Sequence, residues 1–268
     1  MTPDLPLAGR SALVTGVSRR RGIGFAVACN LASMGASLVV AHHRAHDEDQ
    51  PWGADDLSSV VREVRAARAT SDQTVTDIGV DLASRDAPEG LVAAATVALG
   101  HIDILVCNHA RSGGDGPLGT LTADMIDAHY AVNTRSSLLL TQAFAAQHDG
   151  GAGGRVIFMT SGQGLGPMPF ELAYASSKGA IAAVTSSIAT QLAGRGITVN
   201  CINPGPVDTG YMDPETRADV ARGFPSGRMG RPEDVARLIG FLVSGDGEWI
   251  TGQVINSEGG FVRSPAPS

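Results

Sequence analysis

The first forty residues contain a short apolar segment, a glycine-rich turn and an apolar helix, and this order constrains the fold strongly. Residues 10–15 (RSALVT) predict a buried strand, and residues 16–24 (GVSRRRGIG) form the turn. A helix that Gly35 closes and a second strand over residues 37–41 follow. A strand, a crossover helix and a second strand are typical of a parallel sheet. The glycines favour a nucleotide site, since they let the backbone approach a pyrophosphate; a tight turn that needs positive φ is the alternative.

The same alternation continues to the end of the chain. Further strands are predicted over residues 74–80, 102–107, 154–160, 197–202 and 249–256, and helices over 56–69, 86–99, 122–148, 171–193 and 231–243. This pattern predicts the α/β class, with a seven-stranded, doubly wound parallel sheet and helices on both faces. We find no linker or repeat, so we expect a single domain over residues 1–268. Within it, residues 206–227 are predicted to form a lid over the substrate.

Composition limits the partners of the chain. A net charge of −7 argues against nucleic acid as a partner. No apolar run is long enough to cross a bilayer, and residues 1–10 lack the pattern of a signal peptide, so we expect a cytoplasmic protein. The three cysteines are far apart and are expected to be reduced core residues. His42, His43 and His46 have no matching set of further ligands, so no metal is expected.

Tyr174 and Lys178 are the strongest candidates for catalysis. A helix from about Glu171 places them four residues apart on one face. A lysine ammonium favours a nearby phenolate, so we predict a lowered pKa for Tyr174 and proton transfer to or from a carbonyl or alcohol oxygen. Ser161, thirteen residues earlier, could donate a hydrogen bond to the same oxygen. An exposed tyrosine–lysine pair without chemistry is the alternative.

The end of the second predicted strand indicates which nucleotide binds. An acidic residue at this point would bind the ribose 2′-hydroxyl of NAD. Residues 41–44 (AHHR) contain no carboxylate, and the first one is Asp47. Arg44 and residues 19–21 could neutralise a 2′-phosphate, so NADP(H) is predicted over NAD(H). Which of these arginines contacts phosphate stays open, since some could point to solvent or bind the pyrophosphate.

Two polar residues leave alternatives open. Asp81 follows the third predicted strand, where it could accept a hydrogen bond from the adenine amino group or cap the next helix. Asn133 lies inside an apolar helical stretch, where it could bond a neighbouring carbonyl, or kink the helix and hold a water.

With these motifs in order, the chain resembles the short-chain dehydrogenase/reductase family, in its branch of reductases similar to 3-oxoacyl-[acyl-carrier-protein] reductase. The resemblance covers nearly the whole chain and implies a Rossmann fold. It implies a catalytic tetrad of Asn133, Ser161, Tyr174 and Lys178, with Asn133 placing a water. It also implies cofactor contacts from Gly16, Ser18, Arg19, Arg20, Gly22, Ile23, Gly24, Arg44, Asp81, Leu82, Asn108, Tyr174, Lys178, Pro204, Gly205, Val207 and Thr209.

The resemblance implies an NADPH-dependent reduction of a ketone to a secondary alcohol, with a 3-oxoacyl thioester as one candidate substrate. Alcohol oxidation and a non-catalytic nucleotide-sensing module are the alternatives. Family members commonly form homotetramers, so a homotetramer or homodimer is expected. The chain departs from the family in its turn, where five residues instead of three separate Gly16 from Gly22, and in residues 107–110 (CNHA), where the family has Asn-Asn-Ala-Gly. The loop after the second strand is also longer than usual.

Overall fold

The computed structural model describes residues 5–149 and 153–263, and within them one parallel sheet runs through the molecule. Its strands are β1 (Ser11–Thr15), β2 (Ser37–His42), β3 (Val75–Gly79), β4 (Ile104–Cys107), β5 (Gly154–Met159), β6 (Ile197–Asn203) and β7 (Val254–Asn256). Their order across the sheet is β3-β2-β1-β4-β5-β6-β7, and every neighbouring pair is parallel. The predicted seven-stranded, single-domain Rossmann fold is therefore confirmed.

Helices cover both faces of this sheet. They are α1 (Ile23–Ser33), α2 (Arg44–Glu48), α3 (Leu57–Ala66), α4 (Ala87–Leu99), α5 (Ala123–His129), α6 (Ser136–Gln147), α7 (Leu172–Leu192), α8 (Pro214–Arg222) and α9 (Pro232–Val243). None of the helices in the described ranges has the length and apolarity needed to cross a membrane.

Side chains on the strands alternate between two hydrophobic cores. Val14 on β1 belongs to a core that includes residues of α1, α3 and α9, whereas Leu13 beside it belongs to a core that includes residues of α4, α6 and α7. Both side chains are fully buried. Since successive residues of a strand point to opposite faces, a strand covered on both sides must be apolar throughout. This explains why the strands read as continuous apolar runs.

The helix predicted over residues 122–148 is interrupted. A π-helix, Tyr130–Arg135, separates α5 from α6. Asn133 lies in this wide turn, and its side chain bonds the backbone of the loop after β4. The helix is thus irregular at Asn133, as in one of the two alternatives left open by the sequence, and the same side chain bonds a carbonyl oxygen, as in the other.

Two predicted loops contain helices. The long loop after β2 begins with the short α2, and the proposed lid at 206–227 contains α8. Asp213 caps α8 by accepting hydrogen bonds from the backbone N–H groups of Glu215 and Thr216. Pro214 at the first helical position also suits a helix start.

Candidate active site

The glycine-rich turn brings the end of β1 and the start of α1 close to the end of β4. Gly16 has φ +73°, and a Cβ there would lie 2.8 Å from Nδ2 of Asn108. Nδ2 of Asn108 donates hydrogen bonds to the carbonyl oxygens of Thr15 (3.0 Å) and Gly16 (3.1 Å). A Cβ on Gly24 would press against the carbonyl oxygen of Gly16. Gly16 and Gly24 therefore have no room for side chains.

A cavity of about 930 Å³ opens at the carboxyl edge of the sheet. Most of the predicted cofactor and catalytic residues line it: Gly16, Ser18, Arg19, Gly22, Ile23, Asp81, Leu82, Asn108, Ser161, Tyr174, Pro204, Gly205, Val207 and Thr209. The remaining five, Arg20, Gly24, Arg44, Asn133 and Lys178, are not part of its lining. Gly24 packs beneath the turn, and Asn133 and Lys178 are buried.

The structure places two of the predicted arginines away from the cavity. Arg20 pairs with Asp55 (3.3 Å) and Glu63 (3.5 Å) on the surface, and Nε of Arg44 pairs with Glu48 (2.9 Å). In this structure these carboxylates hold both guanidinium groups outside the cavity lining, so Arg20 and Arg44 are weaker candidates for a phosphate contact than Arg19.

Arg19 takes a different direction and lines the cavity. Its Nη2 donates a hydrogen bond to the carbonyl oxygen of Thr209 (3.0 Å). Its guanidinium also lies 5.3 Å from the centre of the Trp52 ring, within the range of a cation–π contact. Of the four arginines considered from the sequence, Arg19 is the one that faces the cavity, since Arg21 pairs with Asp208.

Tyr174 and Lys178 share one face of α7, as predicted. Nζ of Lys178 lies 5.8 Å from the centre of the Tyr174 ring and donates a hydrogen bond to the carbonyl oxygen of Met159 (3.0 Å). Tyr174 and Ser161 line the cavity together. The phenol thus faces the cavity, and the lysine lies behind it.

The predicted lowering of the pKa of Tyr174 is wrong for this structure. Burial, followed by the negative charge of Glu171, raises the pKa of Tyr174 to about 12, and a hydrogen bond with Ser161 offsets only part of this rise. Burial also lowers the pKa of Lys178 to about 8. Desolvation disfavours the charged form of each group, so it outweighs the attraction between phenolate and ammonium.

Asn133 connects the loop after β4 with α7. Its Oδ1 accepts a hydrogen bond from the backbone N–H of Arg111 (2.7 Å). Its Nδ2 donates to the carbonyl oxygen of Arg111 (3.1 Å) and to Oγ of Ser177 (2.9 Å). The observed bonds match the alternative in which the side chain of Asn133 bonds a backbone carbonyl.

His109, at one of the departures from the family pattern, belongs to the cavity wall. Its Nδ1 lies 2.7 Å from Oγ1 of Thr15, and its Nε2 lies 2.7 Å from Oγ of Ser136. Burial, with a smaller contribution from Lys178, lowers its pKa to about 3. The ring is therefore neutral at ordinary pH, and it links β1 to the first residue of α6.

Two residues outside the predicted catalytic and cofactor-binding sets also line the cavity. Arg111 is one of them, and its Nε is buried with no hydrogen-bond partner among the described residues. Glu171 is another, and its charge acts on both Tyr174 and Tyr211. Arg111 directly follows residues 108–110, and Glu171 lies three residues before Tyr174; this proximity is the signal that the sequence offers. Neither residue belongs to a motif, so the sequence assigns no role to either.

The cavity has the donors and the space that a dinucleotide requires. No side chain caps the N-terminus of α1, where Gly22 is the N-cap residue, so backbone N–H groups there remain available to a phosphate. Arg111 also lines the cavity, and its guanidinium is a group that suits an anion. These features fit a nicotinamide dinucleotide, which the glycine turn, Arg19 and the segment from Pro204 to Thr209 would hold.

Residues 16–262 match the family model described as enoyl-(acyl carrier protein) reductase. An uncharacterized oxidoreductase of Bacillus subtilis, YjdA, is 42% identical over 94% of this chain and 96% of its own length. The chain belongs to the short-chain dehydrogenase/reductase family. It is accordingly an oxidoreductase that uses a nicotinamide cofactor and acts on CH–OH or C=O groups of small molecules.

Other members of the family are similar over nearly their whole length. The NADPH-dependent aldehyde reductase-like protein of Arabidopsis thaliana is 35% identical over 97% of both chains. A short-chain dehydrogenase of Burkholderia cenocepacia in complex with NADP has a TM-score of 0.82 and 32% identity, covering 95% of this chain and 98% of its own. A blue fluorescent protein from a metagenomic library, in complex with NADPH, has a TM-score of 0.83 and 31% identity, covering 96% and 100%.

Gly24→Ala should weaken cofactor binding, because the added Cβ would lie 2.6 Å from Nδ2 of Asn108 and press on the carbonyl of Gly16. Gly90→Ala is the matched control, since a Cβ at this position in α4 meets open space. We expect it to stabilise the fold by roughly 0.5–1 kcal/mol. Fluorescence titration with NADPH and thermal melts would measure both variants. Equal affinity in Gly24→Ala and the wild type would show that the turn tolerates the side chain.

Lys178→Met should change how stability depends on pH. The folded pKa of Lys178 is about 8, below its ordinary value of 10.5, so between these values the unfolded chain binds more protons than the folded chain. Burying the ammonium therefore costs stability below about pH 8, and this cost disappears as pH rises to about 10.5. We expect the free energy of unfolding of the wild type to rise by on the order of 3 kcal/mol relative to that of the variant across this pH window. Urea unfolding of the cofactor-free proteins at both ends would test this, and identical pH profiles would contradict it.

Proposed function

We propose that the protein is an NADP(H)-dependent reductase that converts the carbonyl group of a small molecule, such as a ketone, to an alcohol. One observation carries this proposal: the phenol of Tyr174 and the hydroxyl of Ser161 line the same cavity as the glycine turn. A proton donor, a hydrogen-bond donor and a dinucleotide site at one cavity are the parts that carbonyl reduction requires.

Each side chain has one task in this proposal. The bound cofactor supplies the hydride for the carbonyl carbon. Tyr174 donates its proton to the carbonyl oxygen as the negative charge develops there, and Ser161 donates a hydrogen bond to the same oxygen. Lys178 has further N–H donors besides the one that binds Met159, and these would hold the ribose hydroxyls of the cofactor. The water relay at Asn133 that the family resemblance implies would then return a proton to the phenol.

The charge state of Tyr174 suits the acid role that reduction requires. A pKa of about 12 keeps the proton on the phenol throughout the neutral range. A general acid must hold its proton before the reaction begins, whereas alcohol oxidation requires the phenolate as a base. Alcohol oxidation remains the second direction of the same site.

The cavity supports a largely apolar carbonyl substrate. Its walls beyond Tyr174 include Met168, Tyr211, Met212, Val220 and Phe261. Residues 206–227, with α8, would form the lid over this part. The matching family model concerns an acyl carrier protein reductase, and one relative is named for aldehyde reduction. A 3-oxoacyl thioester and a simple ketone or aldehyde are therefore the substrates to compare first.

Arg19 supports a preference for NADP(H) over NAD(H). It brings a guanidinium to the cavity, and β2 ends without a carboxylate that would select the ribose hydroxyls of NAD. Two solved structures with similar folds contain NADPH or NADP.

A non-catalytic nucleotide-sensing role is a weaker candidate because such a module does not need Ser161, Tyr174 and Lys178 to be kept together. A homotetramer or homodimer and a cytoplasmic location are also part of the proposal. The exposed face of α7 contains small residues such as Ala183 and Ser187, which would permit close packing between subunits.

Tyr174→Phe should abolish most of the turnover and leave NADPH binding nearly unchanged. Removing a general acid lowers kcat by about 10²–10⁴-fold. Absorbance at 340 nm with a panel of ketones, aldehydes and 3-oxoacyl thioesters would measure turnover. Tyr130→Phe is the matched control, since Tyr130 is not part of the cavity lining. Full turnover in Tyr174→Phe would remove the phenol from the acid role.

Arg19→Ala should weaken the binding of NADPH more than the binding of NADH. Loss of a charged hydrogen bond to phosphate raises Kd by roughly 10-fold or more, and NADH lacks the 2′-phosphate. Arg44→Ala is the control, because Arg44 pairs with Glu48 outside the cavity. Calorimetric titration of both cofactors would separate the variants. Equal losses for NADPH and NADH in Arg19→Ala would overturn this assignment.

A further inference from the structure

Asp115 lies in the loop between β4 and α5, yet its carboxylate binds the start of α7. Its Oδ1 accepts a hydrogen bond from the backbone N–H of Ala173 (3.0 Å), and its Oδ2 accepts one from the backbone N–H of Tyr174 (2.6 Å). Oδ1 also accepts a bond from the N–H of Gly116 in its own loop (2.7 Å). One side chain therefore joins the loop to the helix that carries the phenol.

These are the bonds that a capping side chain normally makes. The first helical residue is Leu172, so Ala173 and Tyr174 occupy the second and third positions, whose N–H groups a capping residue satisfies. Glu171 occupies the capping position but makes no such bond with its side chain. Asp115 makes these bonds in place of Glu171, although it lies 58 residues before Ala173 and 59 residues before Tyr174 in the chain. Its negative charge also lies at the positive end of the helix dipole.

The ionisation of Asp115 agrees with this geometry. Burial disfavours the carboxylate, but the N–H groups of Tyr174, Ala173 and Gly116 outweigh burial and lower its pKa. The carboxylate therefore stays charged at neutral pH and keeps all three bonds.

Asp115 is not itself part of the cavity lining, although the loop and the helix that it joins both contribute residues to it. Residues 110–113 of its loop line the cavity, and so does Tyr174. The far side of the phenol ring meets the buried ring of His129 at the end of α5, edge to face, with centroids 6.4 Å apart. A shift of the loop would therefore change the cavity wall and the position of Tyr174 together.

We propose that Asp115 is a positioning residue, which couples the loop after β4 to the catalytic tyrosine by capping its helix from outside. This inference rests on the proposed function, because Tyr174 is taken as the proton donor. A misplacement of about 1 Å at a reacting group lowers the rate by roughly 100-fold. Loss of Asp115 should thus lower kcat while the cofactor, which it does not touch, still binds.

Two substitutions at Asp115 and one control test this. Asp115→Ala removes both acceptors, whereas Asp115→Asn keeps one oxygen and places an amide N–H₂ against the other backbone N–H. We expect kcat to fall by about 10–100-fold in Asp115→Ala and by an intermediate factor in Asp115→Asn, with Kd for NADPH within about two-fold of the wild type. Asp127→Ala, an exposed position in α5, should behave as the wild type.

Amide hydrogen exchange gives a second readout that does not depend on turnover. In both Asp115 variants, exchange should rise together at residues 173–176 and in the loop over residues 110–116. A wild-type kcat in the Asp115 variants would overturn the inference, and so would faster exchange at only one of the two segments. If Asp115→Ala does not fold, Asp115→Asn decides by the same criteria. If the wild-type protein reduces no carbonyl, the proposed function fails, and the joint rise in exchange still decides whether Asp115 couples the two segments.

Discussion

The position of the phenol depends on hydrogen bonds that lie behind the cavity wall. The side chain of Asn133 bonds both backbone groups of Arg111 and the hydroxyl of Ser177, and that hydroxyl donates to the carbonyl oxygen of Tyr174. A buried amide held by three hydrogen bonds is rigid, and removing it would leave backbone groups without partners in an apolar setting. The π-helix at Tyr130–Arg135 occurs where this side chain makes its contacts. The helix is therefore irregular at the residue that fixes the loop after β4 to α7.

Desolvation sets the charges of the groups around the phenol. Burial moves the pKa of Tyr174 upward and those of Lys178 and His109 downward, so each shift favours the neutral form. A sequence shows which ionisable groups are neighbours on a helix, but it does not show how much water reaches them. For this reason the tyrosine–lysine spacing predicted the shared face correctly and the direction of the pKa shift incorrectly. The outcome still suits proton donation, because a phenol that retains its proton is the form an acid needs.

Regular elements explain which site residues the sequence could predict. Ser161 follows β5, and Tyr174 lies one turn into α7, so the period of each element determines where these side chains point. Parallel strands bring all their carboxyl ends to one edge of the sheet, which places Asn108 and Pro204 in the same cavity as Ser161 and Tyr174. The directions of Arg20 and Arg44 could not be predicted in this way. Arg20 pairs with Asp55 and Glu63 from other segments, whose proximity no local pattern reveals. Arg44 pairs with Glu48 in α2, a helix that the sequence did not predict.

The two longest departures from the family pattern meet in space. Arg19 belongs to the lengthened glycine turn, and Trp52 belongs to the lengthened loop after β2; the guanidinium of one lies over the ring of the other. Trp52 then meets the ring of Tyr211 edge to face at 6.3 Å, and Arg19 bonds the carbonyl of Thr209. The added residues of the turn and those of the loop thus contact each other and the start of the lid segment. Each insertion alone would expose an arginine or a tryptophan, whereas together they form one wall of the cofactor cavity. The two insertions are therefore best understood as a single structural feature.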